Sequence, residues 1–127
     1  YLLCAERKEK QSRYYFLTAD TTFTIDNHTF EAFYPGPGHT KDNIVIWFAK
    51  EKVLYGGCLV KSTDNEGLGN IADANVSFWP TSIKRVMKQC PHPLYVIPGH
   101  FGWENNKSLK HTLKLLKKNG QSGMIIE

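Results

Sequence analysis

The spacing of apolar and polar residues changes along the chain, and each change marks an element. Residues 1–11, YLLCAERKEKQ, put Leu2, Leu3 and Ala5 ahead of a charged stretch, which predicts the tail of an amphipathic helix. From residue 14 to residue 34 aromatic and β-branched residues partly alternate with polar ones, and Asp26–Asn27 divides them into two strands of a hairpin. YPGPGHTKDN, residues 34–43, has too many prolines and glycines for a helix or a central strand. NIVIWF, residues 43–48, is a continuous apolar run of strand length, suited to burial on both faces. AKEK turns the chain into VLYGG, residues 53–57, the next strand.

TDNEGLGNIADAN, residues 63–75, reads as a loop. A helical period then returns in WPTSIKRVMKQC, residues 79–90, with Pro80 in the first turn and Ile83, Val86, Met87 and Cys90 on one face. HPLYVIPGH is a short buried strand that stops at Pro98–Gly99. NKSLKHTLKLLKKNG, residues 106–120, is a closing helix with Leu109, Leu113 and Leu116 inward and Gly120 as its C-cap. Strands interleaved with helices predict an α/β or α+β layered fold, and no repeat or linker divides the chain.

Composition narrows the function classes. The 127 residues are enough for one core, and 41% hydrophobic with 22% charged residues is ordinary for a globular domain. No apolar run is long enough to cross a membrane as a helix. The net charge is +4, but Lys114, Lys117 and Lys118 form the one cluster and no aromatic-rich basic motif accompanies it. A solvated helix face is expected there, with no nucleic-acid partner. The chain has three cysteines, an odd number, so Cys4, Cys58 and Cys90 cannot all pair internally. Cys90 ends an apolar helix face and is expected in the core, and a Cys4–Cys90 disulfide is conceivable. The chain starts at Tyr1 with no signal-peptide pattern, so it is expected to begin within something larger.

Three positions carry candidate chemistry. His39 follows YPGPG, Cys58 follows LYGG, and His100 follows VIPG. A glycine before each lets the backbone turn tightly and present the next side chain at the sheet edge. Imidazole with thiolate suits zinc. Taken singly, a cysteine near a strand end is most often a small core hydrophobe, and a loop histidine is most often a surface residue. Cys58 with either histidine also has the makings of a thiolate–imidazolium nucleophile pair. Residue types alone leave metal site and cysteine hydrolase nearly level, with the lack of a cysteine-protease signature around Cys58 favouring metal slightly.

FYPGPGHTKDNIVIWF, VLYGGCLVKS, LGNIADANVSFWPTSI and VIPGH together resemble, in order and spacing, the C-terminal half of the class B metallo-β-lactamases. The likeness is to the subclass whose second zinc is held by Asp, Cys and His. It implies an α+β fold: half of an αβ/βα sandwich, a mixed sheet with helices on one outer face, occupying residues 1–127. By that resemblance His39 is the third histidine of a three-histidine zinc site, and Cys58 and His100 are ligands of a second zinc. Lys61 would bind the substrate carboxylate, and Asn70 would stand near the carbonyl oxygen as a catalytic and substrate-binding residue. The implied chemistry is hydrolysis of the β-lactam ring by zinc-held hydroxide, two zinc ions serving the complete enzyme. Periplasmic or secreted location in a bacterium follows from the same resemblance.

The family's H-x-H-x-D is absent, and His28, His92 and His111 do not stand in that arrangement. The expectation is therefore half a site: one ligand for one zinc, two for the other, and little or no activity in this chain alone. Its exposed sheet face would pair with a second copy or with the missing N-terminal half. The alternatives are a non-catalytic metal-binding fragment or domain-swapped dimer, and another metallo-hydrolase such as a thioesterase; Cys58 and Lys61 argue against the thioesterase.

Overall fold

The computed structural model describes residues 19–126, with side chains to residue 120. The expected first helix, residues 14–18 and Cys4 lie outside the described residues. Five strands and two helices follow: β1 (Thr21–Ile25), β2 (His28–Phe33), β3 (Val45–Phe48), β4 (Val53–Gly57), α1 (Trp79–Gln89), β5 (Tyr95–Pro98) and α2 (Ser108–Ile126). The strands lie side by side in chain order in one sheet. The first three pairs are antiparallel, and β4 runs parallel to β5, which requires the crossover that α1 supplies. This is the mixed sheet expected of the α+β half-sandwich.

Local chemistry accounts for the turns. Asp26 and Asn27 take φ of 47° and 67°, so the hairpin closes in a two-residue turn with both central residues left-handed, which Asp and Asn tolerate. Of the predicted α1 face, Ile83, Val86 and Cys90 are fully buried, together with Trp79, whereas Met87 is half-buried at the margin of the core. The buried side chains meet Val45, Trp47, Leu54 and Val96 from the sheet and Leu109, Leu115 and Leu116 from α2 in one core. Both helices therefore cover the same face of the sheet.

Three expectations change. NIVIWF is not buried on both faces. Val45 and Trp47 are buried, whereas Ile46 and Phe48 are half-buried, because they point to the sheet face that carries no helix. The same face shows Tyr55 (47% exposed) and Tyr95 (43%), and a row of rings in which Phe30 packs on Phe23 at 5.3 Å and on Phe48 at 5.5 Å. Gly120 is not a C-cap, since α2 continues to Ile126. A glycine inside a helix costs about 1 kcal/mol relative to alanine, too little to stop a helix that neighbouring turns support. Within α2, Leu113 packs only at the margin of the core, and Thr112 is buried in its stead.

Candidate metal centre

The three candidate side chains come from three separate loops. His39 sits in the loop between β2 and β3, which is tied down from several sides. Asn43 accepts from the Thr40 N–H at 3.0 Å and donates to the Gly36 carbonyl at 2.8 Å. The Gly38 carbonyl accepts from the Asn75 N–H at 2.8 Å. Gly38 has no room for a side chain, because a Cβ there would strike Leu59 and come within 3.0 Å of the Trp79 ring. The loop thus lies directly on the core, and the His39 ring packs edge-on against Trp79 at 5.8 Å. Its Nδ1 is buried with no hydrogen-bond partner among the described residues. Burial first, then the charges of Lys61 and His100, push the His39 pKa below the usual histidine value, against an opposing pull from Asp73. The neutral ring that results is the form that ligates metal.

Cys58 and Lys61 share the turn that ends β4. Gly57 adopts φ of 58°, and its carbonyl accepts from the Val60 N–H at 3.1 Å. Leu59 and Val60, each 1% exposed, drive into the core and leave Cys58 on the outer side of the turn. Trp79 fixes the turn from beneath, donating from Nε1 to the Leu59 carbonyl at 2.9 Å. Only glycine fits at 99, because a Cβ there would lie 2.6 Å from Cys58 Sγ and 2.8 Å from its backbone N and Cα. That close approach brings the His100 loop onto Cys58.

The result is a Cys58 Sγ to His100 Nε2 separation of 3.8 Å. Sulfur and nitrogen ligands on one tetrahedral zinc, at the usual bond lengths, stand about 3.6 Å apart. The pair therefore fits two corners of a zinc site. No group of three or more His, Cys, Asp or Glu side chains positioned to hold one ion occurs among the described residues. The pair would supply only part of a ligand set, and His39 does not complete it. After His100 the backbone is strained: Phe101 takes φ of 66°, unusual for a bulky residue, and is 69% exposed.

Lys61 and Asn70 lie beside this centre. Lys61 is only 5% exposed, its ammonium 5.9 Å from the centre of the Trp79 ring. Burial lowers its pKa, and Cys58 acts in the opposite direction. A Cβ on Gly69 would be 3.8 Å from Lys61 Nζ, so the residue before Asn70 lies near the same ammonium. Asn70 is exposed, and its amide oxygen accepts from the Ala72 N–H at 3.0 Å, which leaves the amide nitrogen as its donor.

No family model matches the chain. The "Metallo-beta-lactamase type 2" of Bacillus cereus is 48% identical over 101 residues, 80% of this chain and 40% of the relative. Its namesake in Elizabethkingia meningoseptica is 37% identical over 112 residues, 88% of this chain and 45% of the relative. Among solved structures, a metallo-β-lactamase from Pontibacter korlensis superposes with a TM-score of 0.79 at 40% identity, covering 91% of this chain and 54% of that one. The chain belongs to the class B metallo-β-lactamase family. It spans about half the length of the relatives it matches. The five-stranded mixed sheet with its two helices is thus a partial metallo-β-lactamase fold.

The other histidines and cysteines stand elsewhere. His28 is exposed and 3.5 Å from Glu51, His92 is exposed at φ 52°, and His111 Nε2 lies 2.7 Å from the Asn65 carbonyl. Cys90 is a free, fully buried thiol whose pKa burial, helped by Glu31, raises to about 12. Alkylation at mildly alkaline pH is therefore expected to label Cys58 and spare Cys90 in the folded metallo-β-lactamase chain, as read by peptide mapping, with zinc protecting Cys58. Labelling of Cys58 undiminished by zinc would favour the cysteine-nucleophile reading. Sequence reading missed two residues of the centre. Trp79 reads as an ordinary core position, yet it touches both His39 and Lys61. Thr112 reads as an interruption in a leucine-rich helix face, yet it holds the Lys61 backbone.

Proposed function

We propose that this chain is the C-terminal half of an enzyme that hydrolyses the β-lactam ring of antibiotics with zinc, as the names of its relatives suggest for the family. The observation that carries the reading is the Cys58–His100 pair, 3.8 Å apart on one side of a turn that also carries Lys61. Bound zinc supplies Lewis acidity and brings the pKa of water toward neutrality. The protein's residues do the rest. Cys58 and His100 hold one ion, and His39 contributes to a second. Lys61 offers a point charge to the substrate carboxylate, and Asn70 donates from its amide nitrogen to the carbonyl oxygen as charge develops there. In the complete enzyme this chain is joined to a half that carries H-x-H-x-D, located in the periplasm or secreted. The apolar face around Tyr55 and Tyr95 packs against that half, and a second copy takes its place when this chain is alone.

A second reading has one observation in its favour. The partial ligand set among the described residues suits a metal-binding piece that performs no chemistry. Turnover of nitrocefin separates the two. The isolated chain with zinc is expected to show none, and the chain joined to an H-x-H-x-D half is expected to show zinc-dependent hydrolysis. Hydrolysis by the isolated chain would refute the half-site reading, and none in the joined protein would refute the hydrolase reading.

A further inference from the structure

Thr112 is a hydroxyl on the inward face of α2 and is fully buried. A buried hydroxyl is unfavourable unless its hydrogen-bonding capacity is met. Here it is met on both sides. Oγ1 donates to the Ser108 carbonyl one turn back at 2.8 Å, the local bond open to any helical threonine. The same oxygen accepts from the backbone N–H of Lys61 at 2.8 Å, a contact between residues far apart in the chain. Valine has the same shape and would serve the core as well, so packing alone does not call for threonine.

The contact fixes the backbone end of Lys61, and the side chain runs from it along the core to a packed position. The Lys61 ammonium lies 5.9 Å from the Trp79 ring centre, beside the Gly69 backbone. A lysine immobilised before its ligand arrives loses less rotamer entropy on binding than a free one. We propose that Thr112 is a positioning residue, anchoring the backbone of Lys61 so that its ammonium is set in place for the carboxylate of the substrate. The inference rests on the carboxylate-binding reading of Lys61 given above.

The test uses the complete, zinc-loaded enzyme. Thr112→Val, which removes the acceptor and keeps the shape, is expected to raise KM for a carboxylate-bearing β-lactam about tenfold with kcat little changed. Thr112→Ser, which keeps the acceptor, is expected to restore KM. In a Lys61→Ala background Thr112→Val is expected to add no further rise. A full rise in that background, or a fall in kcat without a change in KM, would show that Thr112 acts through packing and overturn the proposal. An unchanged KM in Lys61→Ala alone would refute the carboxylate reading, and the proposal with it. Should the valine variant not fold, hydrogen exchange in the unsubstituted protein decides: slow exchange of the Lys61 amide supports the anchor, and exchange at the rate of an unbonded amide overturns it.

Discussion

Replacing Cys58 by serine is expected to weaken metal binding to the chain about a hundredfold or more, a loss at least as large as those caused by removing a ligand's supporting contacts. The described residues place one cysteine sulfur and one imidazole within reach of a single ion, and the 3.8 Å between them matches two tetrahedral corners. Serine keeps the size of the side chain but is a poor ligand at neutral pH. His100 alone then remains. Cys58 is half-buried on the outer side of its turn, and the core contacts of that turn come from Leu59 and Val60, so the fold should survive the change. A cobalt titration reads the result through the thiolate charge-transfer band. The band is expected in the parent chain and in His39→Ala, and is expected to vanish in Cys58→Ser. Equal affinity in Cys58→Ser and parent would mean that the metal sits elsewhere.

The second large effect is expected at Gly99. An alanine methyl there would lie 2.8 Å from the Cys58 backbone on two atoms and 2.6 Å from its sulfur. Backbone cannot yield as a flexible side chain can. The Cys58 turn is held by Leu59 and Val60 in the core and by the Trp79 bond to the Leu59 carbonyl. On the other side, Pro98 is paired with Gly57 in the parallel ladder. Relief therefore requires β5 to move away from β4. Such overpacking costs about 1–3 kcal/mol or somewhat more, and the thermal midpoint should fall by on the order of 5–15 °C. The same movement separates Sγ from Nε2, so zinc affinity should fall together with stability. Thermal melts with and without zinc measure both. An alanine variant with the parent's midpoint and zinc affinity would contradict the cradle assigned to Gly99.

Much of this arrangement was legible in the sequence because it is local. The Asp26–Asn27 hairpin, the one-sided face of α1 and the glycine before each candidate ligand all depend on residues within a few positions of one another. The approach of His100 to Cys58 was legible only through the resemblance, since 42 residues separate them and no spacing rule joins them. Where tertiary structure decides, local reading gave less. NIVIWF looks suited to two buried faces, but burial of Ile46 and Phe48 depends on what lies across the sheet. Gly120 looks like a stop, but α2 passes through it. Thr112 looks like a weak point in a leucine face until the Lys61 N–H, 51 residues away, is brought to it. Trp79 carries no local mark of its double contact with His39 and Lys61.

X-ray absorption at the zinc edge of the loaded chain tests the central claim most directly, because it counts the atoms bound to the metal. One sulfur per zinc at about 2.3 Å, together with imidazole scattering, is the expected result, with the sulfur lost in Cys58→Ser. Zinc bound by nitrogen and oxygen alone, or a spectrum unchanged in Cys58→Ser, would contradict the assignment of Cys58 and His100 as one ion's ligands.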